Sequence, residues 1–216
     1  PPLDSTSSIV ARRSSGAMLR SSSSRLPAAL ALATAVSAAC DSGHWDRHTI
    51  DLVPEGGADG VRLADVNGDG RMDVVTAWEE GGLIRVYVAP EAGALEEPWP
   101  AVTVGRVPMP EDAVLVDLDG DGALDVVSAT EGGNRKVYVH WAPSDPERYL
   151  DEDAWMTQAV PAVEDREMWM FTEPVQVDGR RGTDLVLGPK GDSAALGWLE
   201  TPEDPRDLDA WTYRVI

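Results

Sequence analysis

The stretch Asp65–Asp73, DVNGDGRMD, returns at Asp117–Asp125 as DLDGDGALD, and both copies sit in the same context. An alternating run precedes each (GVRLAD, AVLVD) and a β-branched run follows (VVTAW, VVSAT). A glycine turn comes next (EEGG, EGGN), and then another strand-like run (LIRVYVAP, KVYVHWAP). A degraded third copy, QVDGRRGTD at Gln176–Asp184, has PVQVD before it and LVLG, KGDS and ALGWLETP after it. A second marker keeps step: Trp45, Trp99, Trp155 and Trp211 recur at a period of about 55 residues. Each is followed five residues later by a β-branched residue, Ile50, Val104, Val160 or Ile216. Alternation and β-branched content predict strands, and the segments are too short and too glycine-punctuated for helices. A unit of three or four short strands buries its faces only against neighbouring units, which is the condition a β-propeller blade meets. The chain is therefore expected to be all-β, with about three four-stranded propeller-type blades. Closed propellers have about four to eight blades, so the ring is expected to be incomplete. The last unit holds only its tryptophan strand and stops at Ile216, so the repeat region, residues 41–216, is expected to be truncated at its C-terminus.

Packing carboxylates on alternate positions of a tight loop is costly unless a cation compensates them. A hard cation such as Ca²⁺ takes six to eight oxygen ligands, and glycine permits the turns that bring alternating side chains to one point. In the first loop the candidate ligands are the side chains of Asp65, Asn67, Asp69 and Asp73 and the carbonyl of Arg71. In the second they are Asp117, Asp119, Asp121 and Asp125 and the carbonyl of Ala123. An EF-hand is excluded. Its twelfth position is Glu, whereas these loops have Thr76 and Ser128 there, and strands rather than helices flank them. The third loop offers Gln176, Asp178, Arg180 and Asp184. With a cationic side chain at a ligand position it is expected to hold no metal, Arg180 pairing instead with Asp178 or Asp184.

GVRLADVNGDGRMDVV and AVLVDLDGDGALDVV resemble the FG-GAP/VCBS repeat family, whose best-known members are the integrin α-chain propellers. The resemblance covers about residues 44–216. It implies a seven-bladed propeller with calcium loops between strands on one rim, often displayed on a cell surface. The motif's phenylalanine is missing here, the chain having one Phe, Phe171.

The N-terminal region reads as an address. Arg20 and Arg25 precede the apolar run LPAALALATAVSAAC, the layout of a secretory signal peptide. The run is shorter than the ~20 residues a spanning helix needs. Its end resembles a bacterial lipobox, with Cys40 as the lipidated residue and Ser37 where that family usually has Leu. Met18 is the expected natural start, making residues 1–17 an upstream artefact, and residues 1–40 the signal and lipobox region. The expected location is extracytoplasmic, either lipid-anchored or secreted.

The chain carries 18 basic and 38 acidic residues, a formal charge of −20, which argues against nucleic acid as a partner because phosphate would be repelled. With Cys40 the single cysteine, neither an internal disulfide nor a cysteine zinc site is available. The histidines (His44, His48, His140) lack HExxH spacing, and His140 is expected to face a partner strand. Glu79, Glu80 and Glu131 lie beside glycine turns and read as solvated tips rather than a catalytic pair. The chain is thus not expected to be an enzyme. It is expected to be a non-catalytic, calcium-binding surface module for binding, adhesion or scaffolding. Its partner would be a protein or a carbohydrate, with a membrane reached only through Cys40. The alternative is an accessory propeller of a larger secreted enzyme. The periodic tryptophans are expected to pack, with Trp78, Trp141, Trp169 and Trp198 the better candidates for exposed contacts, although Trp141 and Trp198 sit in apolar strands and also suit the core.

Overall fold

The computed structural model describes residues 46–53 and 56–216. Cys40, His44, Trp45 and the signal and lipobox region lie outside the described residues. Among the described residues, every strand lies in the unit Arg47–Ile216.

Twelve strands form three four-stranded antiparallel meanders, with no α-helix among the described residues. The first sheet is β1 (Ala58–Ala64), β2 (Asp73–Trp78), β3 (Leu83–Tyr87) and β4 (Ala101–Arg106). The second is β5 (Pro110–Val116), β6 (Asp125–Thr130), β7 (Val137–Trp141) and β8 (Met156–Ala159). The third is β9 (Met168–Val175), β10 (Asp184–Lys190), β11 (Gly197–Glu200) and β12 (Thr212–Val215). These are three propeller-type blades in an array that does not close. The tryptophan strand closes each sheet as its fourth strand. The run expected to supply such a strand around Trp45 does not do so, because residues 46–53 hold no strand.

β2 and β6 begin on the last aspartate of their loops and continue as VVTAW and VVSAT, nearly all buried. Sheets covered on both faces read as such continuous apolar runs. Two apolar clusters result. One lies between the first and second sheets, around Val75, Ile84, Val86, Ala113 and Val126. The other lies between the second and third, around Val116, Val127, Val139, Trp169 and Leu185. Each fully buried Val or Leu contributes roughly 1.5–3 kcal/mol, so these interfaces carry most of the stability.

The periodic tryptophans are loop staples. Trp155 Nε1 donates to Tyr149 O at 3.0 Å, Trp211 Nε1 to Pro205 O at 2.9 Å, and Trp99 Nε1 to Leu95 O at 3.2 Å. Each indole thereby closes the connection between the third and fourth strands of its sheet. Trp169, expected as an exposed contact, is fully buried, and Trp141 and Trp198 are also buried. Trp169 is itself stapled to Val163 O at 3.1 Å, which leaves no indole face for a ligand.

The first strands of the three sheets are tied side by side through a polar clamp. Arg62 of β1 grips the buried Asp112 of β5 with Nε at 3.2 Å and Nη2 at 3.1 Å. Asp112 Oδ2 also accepts the Thr172 N–H of β9 at 3.0 Å, and Arg62 lies 3.6 Å from Glu173. Gly60, at φ +38°, sits where β5 approaches β1. A Cβ there would come within 2.7 Å of Asp112 Cα, so only glycine fits.

Candidate metal centre

The three Asp-rich loops each join the first strand of a sheet to its second, so they occupy the same corner three times. Strands flank all three. Within the first loop, Asp65 accepts N–H bonds from Gly68 (2.7 Å), Asp69 (3.1 Å) and Gly70 (2.8 Å). Asn67 accepts from Asp69 at 3.0 Å, and Asp69 from Arg71 at 2.9 Å. The second loop repeats the pattern: Asp117 accepts from Gly120 and Gly122, Asp119 from Asp121, and Asp121 from Ala123. Each side chain folds over its own turn, made possible by positive φ at Gly68, Gly70, Gly120 and Gly122. The N–H donors, the Gly70 one foremost, hold the Asp65 carboxyl below the usual range.

The ninth aspartate behaves differently. Asp73 Oδ2 accepts from Val66 N (2.8 Å) and Oδ1 from Ala89 N (2.7 Å). Asp125 does the same with Leu118 N (3.2 Å) and Ala142 N (2.8 Å). Asp184 repeats it with Val177 N and Thr201 N, both at 2.9 Å. All three are buried. This carboxylate ties the loop entry to the chain leaving the third strand. Each oxygen keeps a second lone pair for a metal. Burial, only partly offset by its N–H bonds from Ala142 and Leu118, pushes Asp125 up to about 7.

The second loop gathers its ligands. Oxygens of Asp117, Asp119 and Asp125 lie within 4.8 Å of one another, which suits a single hard cation. A cationic group already leans on this set from the third sheet's side. Arg206 Nε donates to Asp119 Oδ2 at 2.5 Å, and Nη2 lies 3.8 Å from Asp121. The same guanidinium sits 4.6 Å over the Trp141 ring. In the first loop the cation is internal. Arg71 pairs with Asp69 through Nη2 and donates from Nε to Ala89 O at 3.1 Å. That draws one Asp69 oxygen toward the guanidinium. Each loop thus already holds a guanidinium against one of its aspartates, which occupies an oxygen that a metal would use. Among the described residues the gathering within 4.8 Å is found in the second loop alone of the two, at Asp117, Asp119 and Asp125, and it does not include Asp121 or the aspartates of the first loop.

The third loop is filled by its own side chain. Gln176 Nε2 donates to the carbonyls of Arg180 (2.5 Å) and Gly182 (2.6 Å), while Oε1 accepts from Asp178 N and Gly179 N. Gly182 corresponds to Arg71 and Ala123, whose carbonyls are the expected metal ligands. An amide donor here takes the oxygen that a cation would take. Arg180 lies 3.9 Å from Asp178 and is largely exposed, while Asp184 is occupied by backbone.

Three further features bear on function. A cleft of about 430 Å³ lies between the first two loops, with Asn67, Asp121, Tyr149 and Leu150 among its walls. Glu79 and Glu131, expected as solvated tips, instead converge with Glu111 to within 4.8 Å, near the opposite ends of the strands, and Lys190 pairs with Glu131. The strands of adjacent sheets bring these turns together. Burial, with Glu131 and Glu79 adding repulsion, pushes Glu111 up to about 7. His140 is fully buried, its Nε2 2.9 Å from Ser128 Oγ and its Nδ1 2.8 Å from Thr157 Oγ1.

Residues 65–128 match the family described as the FG-GAP-like repeat. The match opens on the first residue of the first loop and ends just beyond the second loop. No curated protein is similar enough to be matched to the chain. FG-GAP repeats commonly bind Ca²⁺ and occur typically in extracellular proteins, and no helix of the described residues is long and apolar enough to cross a membrane.

Proposed function

From the premise that residues 65–128 are an FG-GAP-like repeat in a β-propeller-type module, we propose that this chain is a non-catalytic, calcium-stabilised binding module displayed outside the cytoplasm. The observation that carries the reading is the convergence of Asp117, Asp119 and Asp125 at the corner that the first loop repeats. Each ion would be held by Asp65, Asn67, Asp69, Asp73 and the Arg71 carbonyl, or by Asp117, Asp119, Asp121, Asp125 and the Ala123 carbonyl. The ion supplies no chemistry to a substrate. It neutralises like charges and fixes the turn between the first two strands.

Secretion, with Cys40 as lipid anchor, supplies millimolar calcium. With ~1 mM free calcium and a site constant near ~0.01 mM, each site contributes about 2.7 kcal/mol. Two sites are large against total stabilities of ~5–15 kcal/mol. The cleft between the loops is where a protein or carbohydrate partner would meet both ions. Calorimetric titration of the metal-free chain should give two calcium ions per chain, and chelator should lower the melting temperature by several degrees. Asp117→Asn with Asp119→Asn should remove one ion and leave the other. A melting curve indifferent to chelator, with no heat of calcium binding, overturns the reading.

A further inference from the structure

The fold treats Asn67 and Asn134 in opposite ways. Asn134 is clamped: its Nδ2 donates to Pro108 O at 3.1 Å and its Oδ1 accepts the Tyr138 O–H at 3.1 Å. Arg135 follows it, and that side chain crowds the next backbone nitrogen. Asn67 is exposed in the first loop, and its Oδ1 accepts the Asp69 N–H at 3.0 Å. Gly68 follows at φ +72°, with nothing within 4 Å of the place a Cβ would take. Asparagine is among the chemically labile residues. Before an uncrowded, conformationally free glycine its side chain lies open to attack by its own main chain.

The attacking atom is the Gly68 backbone nitrogen and the attacked atom is Asn67 Cγ. The Gly68 N–Cγ bond forms and the Cγ–Nδ2 bond breaks. The Gly68 proton leaves with the amide group as ammonia, and a cyclic imide remains. Water then opens the ring. Opening at Cγ restores the main chain and leaves an aspartate at position 67. Opening at the Asn67 backbone carbonyl gives isoaspartate, with the main chain routed through the side-chain carbon. Water is the single co-reactant, and nothing is oxidised or reduced.

Two bonds restrain this reaction while the loop is closed. The Gly68 N–H donates to Asp65 Oδ1 at 2.7 Å, and Asn67 Oδ1 holds the Asp69 N–H. Both bonds must open before the nitrogen reaches Cγ, and exposed loops open locally at small cost. An ion held by Asp65 and Asn67 keeps the loop closed. With ~1 mM free calcium and a site constant near ~0.01 mM, the open fraction falls roughly a hundredfold.

The geometry points to Asn67 as a site of spontaneous modification, at which the metal-free first loop loses ammonia and a bound calcium ion prevents it. The protection by calcium rests on the function proposed above, whereas the lability of Asn67 does not. The aspartate product gives the first loop the acid set of the second, where Asp119 stands at the same place. The isoaspartate product lengthens the main chain and takes Asp69 and Asp73 out of alternation with Asp65, so that loop loses its ion.

The test is incubation of the whole chain near neutral pH for weeks, in chelator and in calcium, followed by trypsin and mass spectrometry. Cleavage after Arg62 and Arg71 isolates Leu63–Arg71, LADVNGDGR, and cleavage after Arg106 and Arg135 isolates Val107–Arg135, which carries Asn134. In chelator the first peptide should gain the mass difference between a carboxyl and an amide and separate into aspartate and isoaspartate forms. The second peptide should keep its mass. Isomerisation at Asp69–Gly70 leaves the mass unchanged and does not mimic this result. In calcium the gain should slow by roughly a hundredfold. No gain in Leu63–Arg71 in chelator overturns the inference, and so does an equal gain in both peptides. Equal rates in chelator and calcium overturn the protection. Calorimetry then separates the causes: with a heat of calcium binding the ion binds without closing this loop, and without one the calcium reading falls as well.

Discussion

Asp125 Oδ1 accepts the backbone N–H of Ala142 at 2.8 Å, while its Oδ2 takes that of Leu118. The carboxylate that ends the metal loop therefore also fastens the exit of the sheet's third strand. Asp73 and Asp184 make the same pair of bonds in their own sheets. The third sheet keeps this aspartate while departing from its neighbours at Gln176 and Arg180, so its structural role stands without the metal. Asp184→Ala would leave the N–H groups of Val177 and Thr201 unpaired, at about 1–3 kcal/mol for a fully buried group. A loss of about 2–4 kcal/mol in urea unfolding is expected, with calcium stoichiometry unchanged. Stability within about 0.5 kcal/mol of wild type would show that these bonds do not matter.

Arg206 reaches the second loop from the connection between β11 and β12 and competes there for the oxygens a calcium ion needs. Arg206→Gln should tighten calcium binding at this loop by roughly three- to tenfold, a modest gain because the guanidinium is 42% exposed and screened. The same change removes the cation–π contact with Trp141, costing about 0.5–1 kcal/mol in the metal-free chain. Calorimetric titration separates the two effects. Weaker calcium binding in the variant would mean that Arg206 supports the site rather than opposing it.

In the third loop Gln176 Nε2 holds the carbonyl oxygens of Arg180 and Gly182. Removing only the cation, with Arg180→Asp, leaves that amide in place and should create no site. Gln176→Asp together with Arg180→Asp replaces the donor by an acceptor and should raise the stoichiometry by one calcium ion. A double variant that binds no additional calcium would mean that the loop backbone itself, not these side chains, keeps the ion out.

The loops, the blade period and the strands were legible because each leaves a local pattern: alternating acids, glycine punctuation, and β-branched runs. What escaped was made by distant backbone. Asp73 and Asp125 look like one more ligand in an alternating series, yet their partners Ala89 and Ala142 lie 16 and 17 residues downstream and donate through the main chain. Arg206 stands 87 residues from Asp119, and nothing around RDLDA hints at the pairing. The tryptophan period was visible, but not that each indole N–H closes a loop. Trp169 misled because it falls outside that period and near charged residues, where burial leaves no signature. Glu79 and Glu131 do sit at glycine turns, but a neighbouring sheet brings Glu111 among them, so local composition understated their burial.

His140 gives the fold a pH dependence of predictable sign. Its ring lies in the space left by Gly105 of β4, where a Cβ would fall 2.2 Å from it. Full burial pushes its pKa down to about 3 from 6.5. Between these values the unfolded chain takes up a proton that the folded chain refuses. The stability His140 permits is therefore present above pH 6.5 and is lost as pH falls toward 3. At pH 5 the loss amounts to about 2 kcal/mol relative to neutral pH. His140→Gln keeps a donor and an acceptor for Ser128 and Thr157 but cannot titrate, so it should flatten this part of the profile whatever its effect at pH 7. The measurement is urea unfolding of both proteins at pH 7 and pH 5. Equal losses in the two would show that other groups carry the acid sensitivity and that the His140 ring finds water or a counter-charge when protonated.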